Sequence, residues 1–172
     1  YRNYKNSEVE KTLTVHPWYV KQYNNRWFLF AYDDHRYFIS NFALDRIQAK
    51  PREVYKIDYV SAPSDFYEDY FKNIVGVSYH SEAKVMDIRI RARTLNVYKL
   101  TETKPLHNSQ QILLPYGQHE DGEYGEFSVS IKINNEFIGR ILQMGDGYEI
   151  VAPDEARNLI RQRVESLAKL YK

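Results

Sequence analysis

From Thr12 to Ile47 apolar and aromatic residues come in short runs broken by polar pairs, a pattern that predicts strands rather than helices. The runs are Thr12–His16, Tyr19–Tyr23, Arg26–Tyr32, Arg36–Ser40 and Phe42–Ile47. Asn24-Asn25 can supply the positive-φ pair of a tight hairpin, and Asp33-Asp34-His35 makes a second polar connection. So many strands in so short a stretch cannot form two packed sheets, and a small, strongly bent barrel that closes its own edges is the expected solution. Pro51 ends this region. A helix capped by Ser64 and running to about Asn73 is then predicted, with Phe66, Tyr67, Tyr70, Phe71 and Ile74 on one face and Gly76 beyond its end.

The second half has longer elements. Strands are predicted at Val85–Arg93, near Gln111–Tyr116, at Tyr124–Ile133 and at Tyr148–Val151, with helices near Leu95–Thr103 and Asn135–Met144. The order β-α-β-β-α-β is that of a ferredoxin-like sandwich. A last helix starts at Pro153, carries Asp154 and Glu155 in its first turn, and turns Ala156, Leu159, Ile160, Val164, Leu167 and Leu170 to one side. The expected class is α+β: a small barrel over 1–58, a helical linker over 59–80 and a ferredoxin-like domain with a C-terminal helix over 81–172. Tyr1-Arg2-Asn3-Tyr4 reads as the middle of a strand, so a preceding segment is expected.

Composition narrows the function classes. Hydrophobic residues are 43% and charged residues 27% of the 172, and no run approaches the roughly 20 apolar residues of a membrane span. A soluble protein of the cytoplasm, with no membrane partner, is the expectation. There are no cysteines, which removes disulfides and thiolate metal sites. A net charge of +1 is far from the balance of a dedicated duplex-binding domain, so any nucleic-acid contact must be local. The aromatic share of 15% supplies core volume and, where exposed, faces on which bases can stack.

The segments His16-Pro17, Arg26-Trp27-Phe28-Leu29 and Phe42-Ala43-Leu44-Asp45-Arg46-Ile47 resemble the WYL domain, in which a Trp-Tyr-Leu triplet precedes an Arg-x-Phe-Arg-Leu-Asp-Arg-Ile run. Pro105-Leu106-His107-Asn108-Ser109-Gln110 and Gly145 with Glu149-Ile150-Val151-Ala152-Pro153 resemble the C-terminal WCX extension. The resemblance implies a bacterial transcriptional regulator. Its missing N-terminal helix-turn-helix would bind promoter DNA, its Sm- or SH3-like WYL barrel would sense a ligand, and its C-terminal domain would form a homodimer. The effectors it implies are single-stranded nucleic acids or nucleotides, with no cofactor. Ser40 and Ala43 stand where the family run has arginines, Arg46 keeps the third, and Phe28 replaces the central tyrosine. A dimerisation or interaction module without a ligand, and an accessory single-strand-binding protein, remain as alternatives.

The candidate ligand-binding residues are His16, Arg26, Trp27, Arg36, Arg46, Arg89, Arg91 and Arg93. Trp27 alternates with Arg26 and Phe28 and shares a side with Leu29, which points to the core of a tiny barrel as its place. His16 ends a strand, where it either holds a phosphate or base edge or stays solvated. A guanidinium at Arg46 suits bidentate recognition of phosphate or carboxylate, with Arg26 and Arg36 extending a basic surface or only solubilising it. In Asp87-Ile88-Arg89-Ile90-Arg91-Ala92-Arg93 the alternation puts three arginines in a row, spaced about 7 Å apart. That face binds an anion or a second subunit, or else is a solvated face with cross-strand ion pairs. Enzymatic signatures are weak. His16, His35, His80, His107 and His119 have no metal-ligand spacing, Gly145-Asp146-Gly147 is no phosphate loop, and His107 beside Ser109 reads as a turn.

Overall fold

The computed structural model describes residues 1–2 and 10–172; Asn3 and Tyr4, half of the expected first strand, lie outside the described residues. The described chain divides into two compact units, residues 1–69 and 70–172.

The first unit is an antiparallel sheet of three strands in the order β1 (Val15–Tyr23), β2 (Arg26–Asp33) and β3 (Phe38–Ala43). Asn24 and Asn25 turn the first hairpin with φ of 48° and 59°, as their residue types predict. The expected barrel is not there: among the described residues the sheet is open. Five expected strands become three for local reasons. A register shift between Pro17 and Tyr19 lets one strand absorb two runs, with Trp18 as the extra residue of a bulge. At the next turn Asp33 accepts from the backbone N–H of His35 (3.1 Å) and Arg36 (3.2 Å), and Tyr37 takes φ of 59°. That Asx turn consumes residues 34–37 and delays β3 to Phe38. Leu44–Arg46 then coil into a 3-10 turn instead of continuing the strand.

After a stretch without regular structure, helix α1 covers Phe66–Phe71, shorter than its periodicity predicts. It crosses the boundary between the units.

The second unit alternates β4 (Val85–Ala92), α2 (Leu95–Thr103), β5 (Gln111–His119), β6 (Gly122–Lys132), α3 (Asn135–Gln143), β7 (Tyr148–Ala152) and α4 (Asp154–Lys169). The strands form one antiparallel sheet in the order β5-β6-β4-β7. Ile88 faces Val129 and Ile90 faces Phe127 across the central pair, so alternation lays one apolar face under the helices. Val97 and Tyr98 of α2, Phe137 and Ile141 of α3, Ile150 of β7 and Ala156 of α4 complete that core. Gly125 is required by close approach: a Cβ there would run into the ring of Tyr98 and lie 3.0 Å from the Tyr116 nitrogen. Asn134 caps α3 by accepting from Phe137 N–H (2.9 Å), while its amide donates to Val75 O (2.7 Å) and Ser78 O (2.9 Å). His107 builds a turn, its Nδ1 accepting from Ser109 N–H (3.1 Å) and lying 2.7 Å from Ser109 Oγ, which itself accepts from Ser130 N–H (2.8 Å).

Candidate ligand-binding surface

The eight candidate residues fall into three places. Arg26, Trp27 and Arg46 share one end of the first sheet. The hairpin turn brings Arg26 and Trp27 there, and the 3-10 turn after β3 returns the chain beside them, since Ala43 pairs with Phe28. Arg26 makes an ion pair with Asp45 at 2.9 Å. Arg46 is half-buried and its carbonyl accepts from Arg2 N–H at 3.1 Å. Trp27 corrects the expectation of a core tryptophan: it is 51% exposed, beside exposed Leu44 on this same end. Alternation assigned its side of the sheet but not how far the rest of the chain covers that side at the hairpin, where the indole stays half exposed. An exposed indole at a sheet end that also carries two arginines offers a flat face for stacking and charge for an anion.

His16 and Arg36 lie towards the opposite end. His16 is only 4% exposed, so the solvated strand-end reading is wrong, and its two ring nitrogens are engaged. Nδ1 accepts from Val60 N–H at 3.1 Å, which leaves Nε2 to carry the proton toward Asp34 Oδ1 at 3.4 Å. Arg36 sits 3.7 Å from the buried carboxylate of Asp33 and 5.9 Å from the Phe38 ring centre.

The arginine row stands on the polar face of the second sheet, with its charge already answered. Glu126, opposite Arg91 in register and 1% exposed, takes Nε of Arg91 at 2.9 Å and Nε of Arg89. Arg91 also donates to Asp121 (2.8 Å) and lies 3.7 Å above the Tyr124 ring. Burial alone would lower the pKa of Arg91, but hydrogen bonds to Glu126 and Asp121 outweigh it and raise the value. Arg93 pairs with Glu149 at 2.6 Å, and Glu149 also meets Arg157 at 3.4 Å. The geometry is that of cross-strand ion pairs. Sequence reasoning placed the arginines on this face and allowed for cross-strand ion pairs, but passed over Glu126, which lies opposite Arg91.

A fourth group contains none of the eight candidate residues. The Trp18 indole donates to Val60 O (2.8 Å), stacks on Tyr32 (5.7 Å, 15°) and meets Phe66 edge-on (5.2 Å, 72°). The Tyr59 hydroxyl donates to Pro17 O at 2.8 Å, and Tyr19 packs on Tyr67 at 4.8 Å. Burial, and then Tyr67, push the pKa of Tyr19 up. Apart from Tyr32, the partners are more than forty residues apart in sequence, and only the bulge at Pro17, weakly signalled by the proline, hinted at them.

Among the described residues no three His, Asp or Glu side chains gather as a metal site, and no helix is long and apolar enough to cross a membrane.

Comparison with known proteins adds the following. The model of the WYL domain matches residues 1–50, and that of the WCX domain matches residues 84–168. No curated protein matches the chain. Among solved structures, the proteasome accessory factor B/C (PafBC) of Arthrobacter aurescens is similar at 16% identity with a TM-score of 0.39. That match covers 94% of this chain but 23% of the other, so this chain spans about a quarter of that protein's length.

Proposed function

We propose that this chain, a member of the WYL-domain family with a WYL domain followed by a WCX domain, is the effector-sensing region of a transcriptional regulator. The effector is a single-stranded nucleic acid or nucleotide, held at the end of the first sheet by Trp27, Arg26 and Arg46. One observation carries this placement: Trp27 is half exposed at the end of the sheet that also holds two arginines. Stacking of a base on an exposed aromatic ring contributes about 1–3 kcal/mol and tolerates any sequence. We assign no anion to the Arg89–Arg93 row, because Glu126, Asp121 and Glu149 already neutralise it.

The WCX part forms a homodimer in this reading, and the strand order β5-β6-β4-β7 supports a ferredoxin-like sandwich for it. The WYL part spans 1–58 and a linker spans 59–80 in this reading, with promoter DNA bound by a helix-turn-helix outside this sequence and the whole acting in a bacterial cytoplasm. Effector binding would shift the balance between two arrangements of the dimer and so the spacing of its DNA-binding heads. No chemistry is assigned to the site.

Anisotropy of short labelled single-stranded DNA and RNA, at low and moderate salt, tests the placement. Micromolar binding that weakens with salt and drops at least tenfold in both Trp27→Ala and Arg46→Ala supports it. Absence of binding at low salt, with a dimer mass by light scattering, favours a second reading in which the chain only dimerises. The carboxylate matched to Arg26 at Asp45 is the observation that favours that alternative.

A further inference from the structure

The bulge of β1 faces the connecting stretch, residues 47–65, and the start of α1 at once. His16 and Trp18 hold both backbone polar groups of a single residue, Val60: the imidazole accepts from its N–H and the indole donates to its carbonyl. Tyr59 closes a third bond in the reverse direction, from its hydroxyl to Pro17 O. The same indole then packs edge-on against Phe66, the first residue of α1, and the next residue of the bulge packs on Tyr67.

Such a cluster is not what the connecting stretch needs merely to cross the surface. Residues 48–61 are all exposed, so little apolar burial holds them, and three bonds to Pro17, Trp18 and His16, with the Tyr59 ring against His16, hold the stretch at Tyr59 and Val60. Segments with few buried contacts open below the global unfolding limit. Trp18 belongs both to the clasp on Val60 and to the seat of Phe66, so the two contacts share one rigid side chain and one strand irregularity. A bulge is where a strand can re-aim its side chains with least disturbance to its neighbours.

We propose that the β1 bulge, residues 16–19, is a coupling element: it latches Tyr59 and Val60 and seats α1 as one unit, so that opening the latch loosens α1. Packed networks carry coupling only when the element has two arrangements that both ends bias, and here these are latch closed and latch open. The inference stands whether or not the sheet binds a nucleic acid, and its test needs no effector.

The experiment is amide hydrogen exchange, residue by residue, on the whole chain. Trp18→Phe removes the bond to Val60 O but keeps an aromatic ring for Tyr32 and Phe66. Tyr59→Phe removes only the bond to Pro17 O and serves if the tryptophan change disturbs folding. Neither touches the bond from the Val60 amide to His16 or that from Asp69 N–H to Asp65 O in α1, 3.0 Å. Coupling predicts that exchange of both the Val60 and the Asp69 amides rises about tenfold in each variant, the effect of one lost hydrogen bond, with Phe30 in β2 unchanged. Val60 unchanged would show the contacts to be independent. Val60 rising alone would leave an anchor without coupling, and a uniform rise including Phe30 would mean general destabilisation; any of the three overturns the proposal.

Discussion

Single residues show most sharply what alternation can and cannot foretell. It separated the two sides of each strand but did not say which side the rest of the chain covers. Hence Trp27 proved exposed and His16 buried, the latter because Val60, forty-four positions later, closes over it. Glu126 is the clearest energetic case. A carboxylate buried to this degree persists because two guanidinium groups and a strand register hold it, and removing one partner leaves an uncompensated charge. Arg91→Ala, which leaves that carboxylate buried with only the half-exposed Arg89 beside it, should lower stability by about 3 kcal/mol in urea unfolding. Arg89→Ala, which leaves Arg91 on the same carboxylate, should cost under about 1 kcal/mol; equal losses would contradict the burial argument. Tyr70 gives a pH prediction. Burial first, and then Tyr79 stacked 4.7 Å away, push its pKa up to about 12 from an ordinary 10.0. A folded-state value raised in this way means stability is intact below pH 10 and falls as the pH rises from 10 to 12. Thermal unfolding at pH 9 and 11 should show a drop that Tyr70→Phe reduces.

At the scale of elements, the second unit was the more legible. Leu95–Thr103 is a helix with the bounds its periodicity gives, and strands β4 to β7 lie within a few residues of their expected positions. Long elements with one apolar face carry redundant signals, so a single odd residue does not redirect them. The first unit was read less well, because two local events decide it. A bulge at Pro17 joined two runs, and an Asx turn at Asp33 moved the start of a third. Neither event has a periodicity, and both depend on hydrogen bonds to one side chain or one irregular residue. Helix caps are a testable instance of the same economy. Asn134 makes three side-chain hydrogen bonds from a buried position, one capping α3 and two to the carbonyls of Val75 and Ser78, whereas Thr94 caps α2 with one of 3.3 Å. Asn134→Ala should therefore destabilise by about 2 kcal/mol or more, against about 1 kcal/mol or less for Thr94→Ala. Urea midpoints measured side by side decide this, and comparable losses would remove the ranking.

For the whole molecule, a WYL domain followed by a WCX domain was visible in a few short motifs, chiefly Phe42–Ile47 and Pro105–Gln110, and the matching family models cover those same segments. The chemistry was less visible than the family. Basic residues are numerous in the sequence, yet their availability is set by carboxylates that the fold brings from other strands, as with Glu126 and Glu149 beside the β4 arginines. Counting arginines therefore overstated the second sheet, whereas the end of the first sheet kept an open aromatic surface. The most direct test of that conclusion is a backbone amide NMR titration of the whole chain with short single-stranded DNA at low salt. The account predicts shifts concentrated at Arg26, Trp27 and Leu44–Arg46. Shifts centred on Arg89–Arg93, or none at all, would contradict it.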